Sequence, residues 1–307
     1  MILKKIIMII LDLIGNTPLV EVPKSIHGTN NNLFAKLEYF NPTKSLKDRV
    51  AVALIEDAEA KGLITKDTTI IEPTSGNMGI SLAFICALKG YRLILTMSEA
   101  MSIERRKLIS HFGAELVLTK KELGFQGAID KAYELSREIP HSLVMNQYHN
   151  PANFDVHFKT TGPEIYEQMN GDIDIFIAGA GTGACVSGVS AFLKTKKSVY
   201  TIAIEPEEND ILAGGSKFAP HQLQGIGPNF MPDNFHKDVI DEIFHVSKES
   251  AYETARMLAK SAGIACGISS GGIAFAALEK AKTVEGKNIC FIVCDFCERY
   301  ASCDLFI

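Results

Sequence analysis

Residues 179–188 read GAGTGACVSG and follow the apolar run Ile173, Ile175, Phe176, Ile177 and Ala178. A strand that empties into glycines and then into a helix leaves backbone N–H groups free at the helix start, where they can meet a phosphate. Three readings compete for this stretch. Gly179-x-Gly181-x-x-Ala184 fits a loose dinucleotide fingerprint, with Glu205 at the end of VYTIAIE as the acid for a ribose, which would make the protein an NAD-dependent oxidoreductase. A Walker-type loop fails, because Val189 and Ser190 follow Gly188 where a lysine would be needed. The remaining reading is a tight strand-to-helix turn with no ligand.

Outward from this stretch, short apolar runs alternate with longer amphipathic ones, which is the pattern of an α/β protein with parallel strands. Strands are expected at LFAKLEY, TTIIEP, RLILTM, ELVLT, DIFIAG, YTIAIEP and ICFIVC. Between them, DRVAVALIEDAEAKG and IERRKLISHFG read as helices that close on a glycine C-cap. The polar, proline-bearing segment NQYHNPANFDVH, residues 146–157, is the expected passage between two lobes, and the cleft between lobes is the expected ligand site. The glycine- and proline-rich run from Gly214 to His236 is long for a connector and reads as a functional loop.

Composition narrows the function classes. The chain has 307 residues, 47% hydrophobic and 22% charged, and a formal net charge of −5. That balance, without a dense basic run, disfavours nucleic acid as a partner and favours small molecules. The opening MILKKIIMIILDLIG is interrupted by Asp12 and too short to span a bilayer, so it reads as a core helix or docking segment of a cytoplasmic protein, with no membrane partner. Seven cysteines, an odd number set in apolar segments, suit a reducing compartment. Cys294-x-x-Cys297 resembles half of a zinc site but lacks a second pair, so no metal is expected.

Two further stretches carry chemistry. In NPTKSLKDRVAVAL, Lys47 stands at the mouth of a helix beside Ser45 and Asp48. In EPTSGNMGIS, Thr74, Ser75, Gly76, Asn77 and Gly79 follow a strand and open another helix, offering hydroxyls, an amide and helix N–H groups to an anion. Each has a plain structural alternative: Lys47 as a solvated side chain, Thr74 and Ser75 as helix caps.

Lys47, the TSGN loop, the glycine cup and GISSGG at 267–272, in this order, resemble the cysteine synthase and cystathionine β-synthase family of pyridoxal 5'-phosphate (PLP) enzymes. IGNTPLVEV at 14–22, MSIERRKL, NPAN, QGIGPNF and ERYAS at 298–302 extend the resemblance over nearly the whole chain. It implies fold type II, the tryptophan synthase β-like α/β architecture, with two lobes that are each a mostly parallel twisted sheet flanked by helices. Residues 1–150 would form the lobe with the Schiff-base lysine and the substrate carboxylate loop, its early strands being free to join the other sheet, and residues 151–307 the lobe with the phosphate loop. Lys47 would be the catalytic amine that holds PLP, and Asn77 would bond the ring oxygen. Gly181, Thr182, Gly183, Ala184 and Cys185 would wrap the phosphate. Ser269 would face the pyridine nitrogen, with Ser270 as the neighbouring alternative. Thr74, Ser75, Asn77, Met78, Gln147 and Gly225 would bind the amino-acid substrate. The expected reaction is β-replacement through an aminoacrylate, in a homodimer to which a serine acetyltransferase could dock.

The chain departs from the family pattern where specificity is set. Met78 replaces the threonine of Thr-Ser-Gly-Asn-Thr-Gly, Cys185 replaces the threonine of Gly-Thr-Gly-Gly-Thr, and Cys294-Asp295-Phe296-Cys297 replaces Pro-Ser-x-Gly before Glu298-Arg299-Tyr300. Asp233, after Pro232, is a candidate general base for water or a thiol, with a solvated turn residue as its alternative. Met78 and Asp233 lean the expectation towards a variant that consumes L-cysteine and releases hydrogen sulfide. The alternative is synthesis of L-cysteine from O-acetylserine and sulfide.

Overall fold

The structure, a computed structural model, describes residues 9–74 and 76–306. Ser75, one of the expected substrate contacts, lies outside the described residues. The fold is built on two sheets. The four-stranded sheet has the order β5-β4-β3-β6 and is parallel throughout, from β3 (Thr69–Pro73), β4 (Arg92–Ser98), β5 (Glu115–Thr119) and β6 (Ser142–Val144). The six-stranded sheet has the order β1-β2-β10-β7-β8-β9. Its members are β1 (Leu19–Glu21), β2 (Asn32–Leu37), β7 (Ile175–Gly179), β8 (Tyr200–Pro206), β9 (Glu242–Val246) and β10 (Asn288–Val293), with only β1 antiparallel to its neighbour. β1 and β2 come from the first forty residues, yet they extend the sheet formed by the second half of the chain.

Helices cover these sheets: α1 (Lys24–His27), α2 (Lys47–Ala60), α3 (Asn77–Lys89), α4 (Ile103–His111), α5 (Gly124–Glu138), α6 (Ala152–Val156), α7 (Gly162–Gln168), α8 (Ala184–Lys196), α9 (Lys248–Ala262) and α10 (Ile268–Ala281). Strands buried on both faces have no solvent side on which to place polar residues, so they read as continuous apolar runs. β3 and β7 show this, and Ile70, Ile71, Phe176 and Ile177 have no exposed surface. β5, at an edge, is only half-buried. The expected strands are all present, and short β1, β6 and β9 join them. α2 and α4 run out near Gly62 and Gly113, whose φ values of 66° and 88° suit a left-handed stop.

The N-terminal expectation of a core helix or docking segment falls largely on residues 1–8, which lie outside the described residues. Of the described part, Ile10–Leu13 forms a short 3-10 turn with no buried residue, because Asp12 turns back to accept the Ile9 N–H and leaves Ile9, Ile10 and Leu13 outside the core. Among the described residues no helix is long and apolar enough to cross a membrane.

In parallel sheets the strands deliver their C-terminal ends to one edge, and loops that lead into helices collect there. β3 ends at the Thr74 loop and α3, β7 at the glycine cup and α8, and β10 at Cys294 and Asp295. These three ends surround a single cleft.

Candidate active site

The cleft is a cavity of about 430 Å³ lined by residues from both sheets. Its size and enclosure suit a small organic ligand. Lys47, at the first turn of α2, is half-buried and lines it. Burial pushes its ammonium below the usual lysine value, against the opposing influence of the Cys185 and Cys294 thiols. A lysine driven towards the neutral amine is a nucleophile and a base. Asp48 beside it does not act on the cavity: its carboxylate accepts the Thr43 N–H at 2.6 Å, the Thr43 hydroxyl and the Ser81 hydroxyl at 2.6 Å. Asp48 thereby ties the turn that carries Lys47 to α3, the helix that Asn77 opens.

A charged knot behind α2 holds that helix against the other sheet. Arg49 donates to Glu38, just after β2, at 2.7 Å and to Glu164 on α7 at 2.6 Å, and Lys36 on β2 donates to Glu164 at 2.8 Å. Burial alone would raise the Glu164 carboxyl, but the two cations overcome it and leave it at about 2. The pairs are buried, hydrogen-bonded and multiple, which is the condition under which such ions hold a geometry.

Across the cavity the glycine cup is shaped by backbone. A Cβ on Gly181 would stand 2.2 Å from the Gly225 carbonyl oxygen, and one on Gly183, whose φ is +78°, 2.5 Å from the Phe235 Cβ. No other residue type fits either position. The first N–H groups of α8, from Ala184 onward, have no partner within the helix, and they carry its positive dipole end. Gly181, Thr182, Gly183 and Cys185 line the cavity, while Ala184 is buried at the helix start. Burial pushes the Cys185 thiol up to about 12, so it stays protonated and is a weak donor. Backbone N–H groups at a helix start, across the cavity from a lysine amine, fit an aldehyde cofactor with an anionic phosphate.

The remaining walls come from β3, β10 and the loop after β6. Thr74, Asn77, Met78, Gln147 and Gly225 all line the cavity. Asn77 donates to Asp295 at 2.7 Å and accepts from Arg299, and Tyr300 donates its phenol to Asp295 at 2.7 Å. Ser269 lines the cavity; Ser270 does not, and its hydroxyl accepts the Cys294 N–H at 2.9 Å. The geometry therefore separates two serines that the sequence left as alternatives.

Two expected site residues are elsewhere. Asp233 is exposed, does not line the cavity, and meets His149 at 2.7 Å, because the chain after Pro232 carries its side chain out to the rim. Glu205, the acid of the dinucleotide reading, is buried in β8 and accepts the Leu212 N–H at 3.0 Å, so it serves its own loop. Other residues of the cavity escaped sequence reasoning: Arg105 from the quoted MSIERRKL, Tyr148, His221 and Asp295. Each lies in a segment singled out above, Arg105 and Asp295 in family motifs, Tyr148 in the passage at 146–157 and His221 in the loop from Gly214 to His236, but nothing in the sequence marked these side chains within them.

A model of the family described as pyridoxal-phosphate dependent enzymes matches residues 10–295. The chain is 49% identical over 258 residues to a cysteine synthase of Flavobacterium sp., covering 84% of this chain and 83% of that one. Cysteine synthase from Entamoeba histolytica has a similar structure, with a TM-score of 0.95 and 41% identity, over 100% of this chain and 92% of that one. A hydrogen sulfide-producing enzyme from Fusobacterium nucleatum is similar at a TM-score of 0.92 and 40% identity, over 96% of this chain and 100% of that one. The chain thus belongs to the pyridoxal-phosphate dependent enzymes of fold type II, in the cysteine synthase and cystathionine β-synthase family, whose chemistry is β-replacement in cysteine metabolism.

Proposed function

We propose that this enzyme joins sulfide to Cβ of an O-acylated L-serine, O-acetylserine in the first instance, and releases L-cysteine and the carboxylate. The observation that carries this direction is the place of Asp233. The sulfide-releasing direction needs a group that activates water or a thiol, and the residue expected to do so sits outside the cavity, paired with His149. Sulfide is already a strong nucleophile at neutral pH and needs no base. The names of the cysteine synthases to which the chain is similar point the same way.

Bound in the cup, PLP withdraws electrons from the substrate's Cα so that a proton can leave it and a group can leave Cβ. Lys47 holds the cofactor and, as a neutral amine, takes the α-proton at Nζ and later returns it. Gly181, Thr182, Gly183, Ala184 and Cys185 hold the phosphate through the start of α8. Asn77, fixed by Asp295 and Arg299, sets the tilt of the ring, and Ser269 meets the ring nitrogen with a hydroxyl, which cannot keep it protonated. Thr74, Ser75 and Gln147 grip the substrate carboxylate, with Met78 and Gly225 shaping the space around it. The enclosed cleft keeps water from the reacting carbons. The enzyme acts as a homodimer, and the tail of a serine acetyltransferase would dock in the cleft.

A second reading, release of sulfide from L-cysteine, is favoured by the likeness to the Fusobacterium nucleatum enzyme. Steady-state assays with O-acetyl-L-serine plus sulfide, and separately with L-cysteine alone, decide between them. The proposal expects the first kcat/KM to exceed the second by at least about tenfold, a difference of roughly 1.4 kcal/mol in barrier; the reverse order establishes the sulfide-releasing reading.

A further inference from the structure

Glu72 is the fourth residue of β3, two positions before Thr74, and it is 1% exposed. The β3–β6 ladder ends beside it, with Ile71 opposite Val144 and the Met145 N–H donated to the Ile71 carbonyl at 3.1 Å. Beyond that point the Glu72 side chain takes over the pairing. Its Oε2 accepts the Asn146 N–H at 2.7 Å and its Oε1 the Gln147 N–H at 3.3 Å. Asn146 holds a φ of 56°, a conformation that costs a residue other than glycine energy and that needs such support. The Gln147 carbonyl is gripped from the other side, by Asn153 at 2.9 Å and Asn234 at 3.1 Å, and the same Asn153 amide reaches the Thr182 hydroxyl of the cup at 3.1 Å.

We propose that Glu72 is a positioning residue whose ionised carboxylate sets Gln147 at its working distance from the Thr74 loop, so that the two walls close on one substrate carboxylate. The inference rests on the substrate assignment made above. Among the described residues no cation stands beside this buried carboxylate, which makes it expensive to keep and marks it as more than a filler. Its surroundings are neutral. Leu95 is the neighbour of Glu72 across β4, Lys131 on α5 pairs with Glu134, and the titratable group that senses Glu72 is the Tyr148 phenol, itself pushed up to about 12 by burial. Burial raises Glu72 to about 7, against the hydrogen bonds from Gln147 and Asn146 that favour its ionised form.

The sign follows directly. Above pH 7 both oxygens accept and Gln147 is pinned. Below it one oxygen carries a proton, and the longer contact, to the Gln147 N–H, loses its acceptor. Amino-acid affinity therefore falls as pH drops, while the backbone-built cup keeps its hold on PLP.

The test titrates the PLP-loaded enzyme with L-serine, followed by cofactor absorbance, at pH 8 and pH 6. Serine's own ammonium must lose a proton to bind, which weakens binding at pH 6 equally in wild type and variant; beyond that shared fall, one proton on Glu72 with a midpoint near 7 implies a further loss of about tenfold at pH 6 in the wild type. Glu72→Gln is expected to bind L-serine at least about fivefold more weakly at pH 8, to lose this further tenfold, and to retain PLP as the wild type does. Independently of any variant, the Gln147 amide resonance of nitrogen-15-labelled holoenzyme is expected to move with a midpoint near pH 7 before amino acid is added. Parallel pH profiles in wild type and Glu72→Gln, or a Gln147 resonance that stays still from pH 6 to 8, overturn the proposal. If L-serine leaves the absorbance unchanged at both pH values, the substrate assignment fails, and a titrating Gln147 resonance still supports Glu72 as its anchor.

Discussion

The cup at the end of β7 and the loop at the end of β3 face one cavity but are held by different means. In the cup, Gly181 and Gly183 press against the Gly225 carbonyl and the Phe235 backbone, and the donors it offers are main-chain N–H groups at the start of α8. Around the loop, side chains do the holding: Glu72 on the Gln147 N–H, Asn153 and Asn234 on its carbonyl, Asp295 and Arg299 on Asn77. Backbone has no charge state to lose and cannot be altered without altering the fold. A side-chain clamp can be retuned by single substitutions, and two of the three departures from the family pattern, at Met78 and at 294–297, fall on this second region, while the third, Cys185, is a side chain at the start of α8 that leaves the backbone of the cup as it is. Cofactor and substrate should then respond separately to mutation.

The largest expected effect is at the amine between the two regions. Lys47→Ala is expected to lower turnover by at least about a thousandfold, since nucleophile and proton carrier go together. The cup should still hold the cofactor's phosphate, which equilibrium dialysis with PLP checks alongside the rate. Gly181→Ala comes next. Its methyl would have to displace the Gly225 backbone, an overpacking cost of ~1–3 kcal/mol, so PLP affinity should fall by about ten- to a hundredfold. Intact PLP binding in that variant would break the claim that the cup is made of backbone.

Smaller effects sharpen the contrast. Cys185→Thr places a good hydroxyl donor at the phosphate and is expected to tighten PLP by about two- to tenfold, the worth of one added hydrogen bond, measured as retention on dialysis. Asp233→Ala removes an exposed partner of His149 at the rim. Its kcat/KM for O-acetylserine and sulfide should stay within about twofold of wild type, as expected for a surface ion pair. A hundredfold loss there would return Asp233 to the chemistry and reopen the sulfide-releasing reading.

Local pattern carried far into this fold. The expected strands lie in place, and the cup and the Thr74 loop were legible because each is written in consecutive residues: an apolar run, then small or hydroxylated residues, then a helix. Glu72 was not legible, because its partners at 146 and 147 are more than seventy residues away and its role depends on where β6 stops. The same holds for Asp295, whose partner Asn77 lies on the other sheet's helix. Asp233 misled for the opposite reason: its neighbours in sequence belong to the cleft, and nothing in the chain says which way its side chain turns.

The sequence by itself determined the alternation of strands and helices, the glycine turn into α8 and the family, since these follow from short-range preferences and from motifs in fixed order. The tertiary structure alone decided that β1 and β2 cross to the other sheet, that Ser269 faces the cavity and Ser270 does not, and that Asp233 stays outside. The reason is physical: burial and hydrogen-bond partnership are properties of the space around a side chain, and that space is filled by residues far away along the chain.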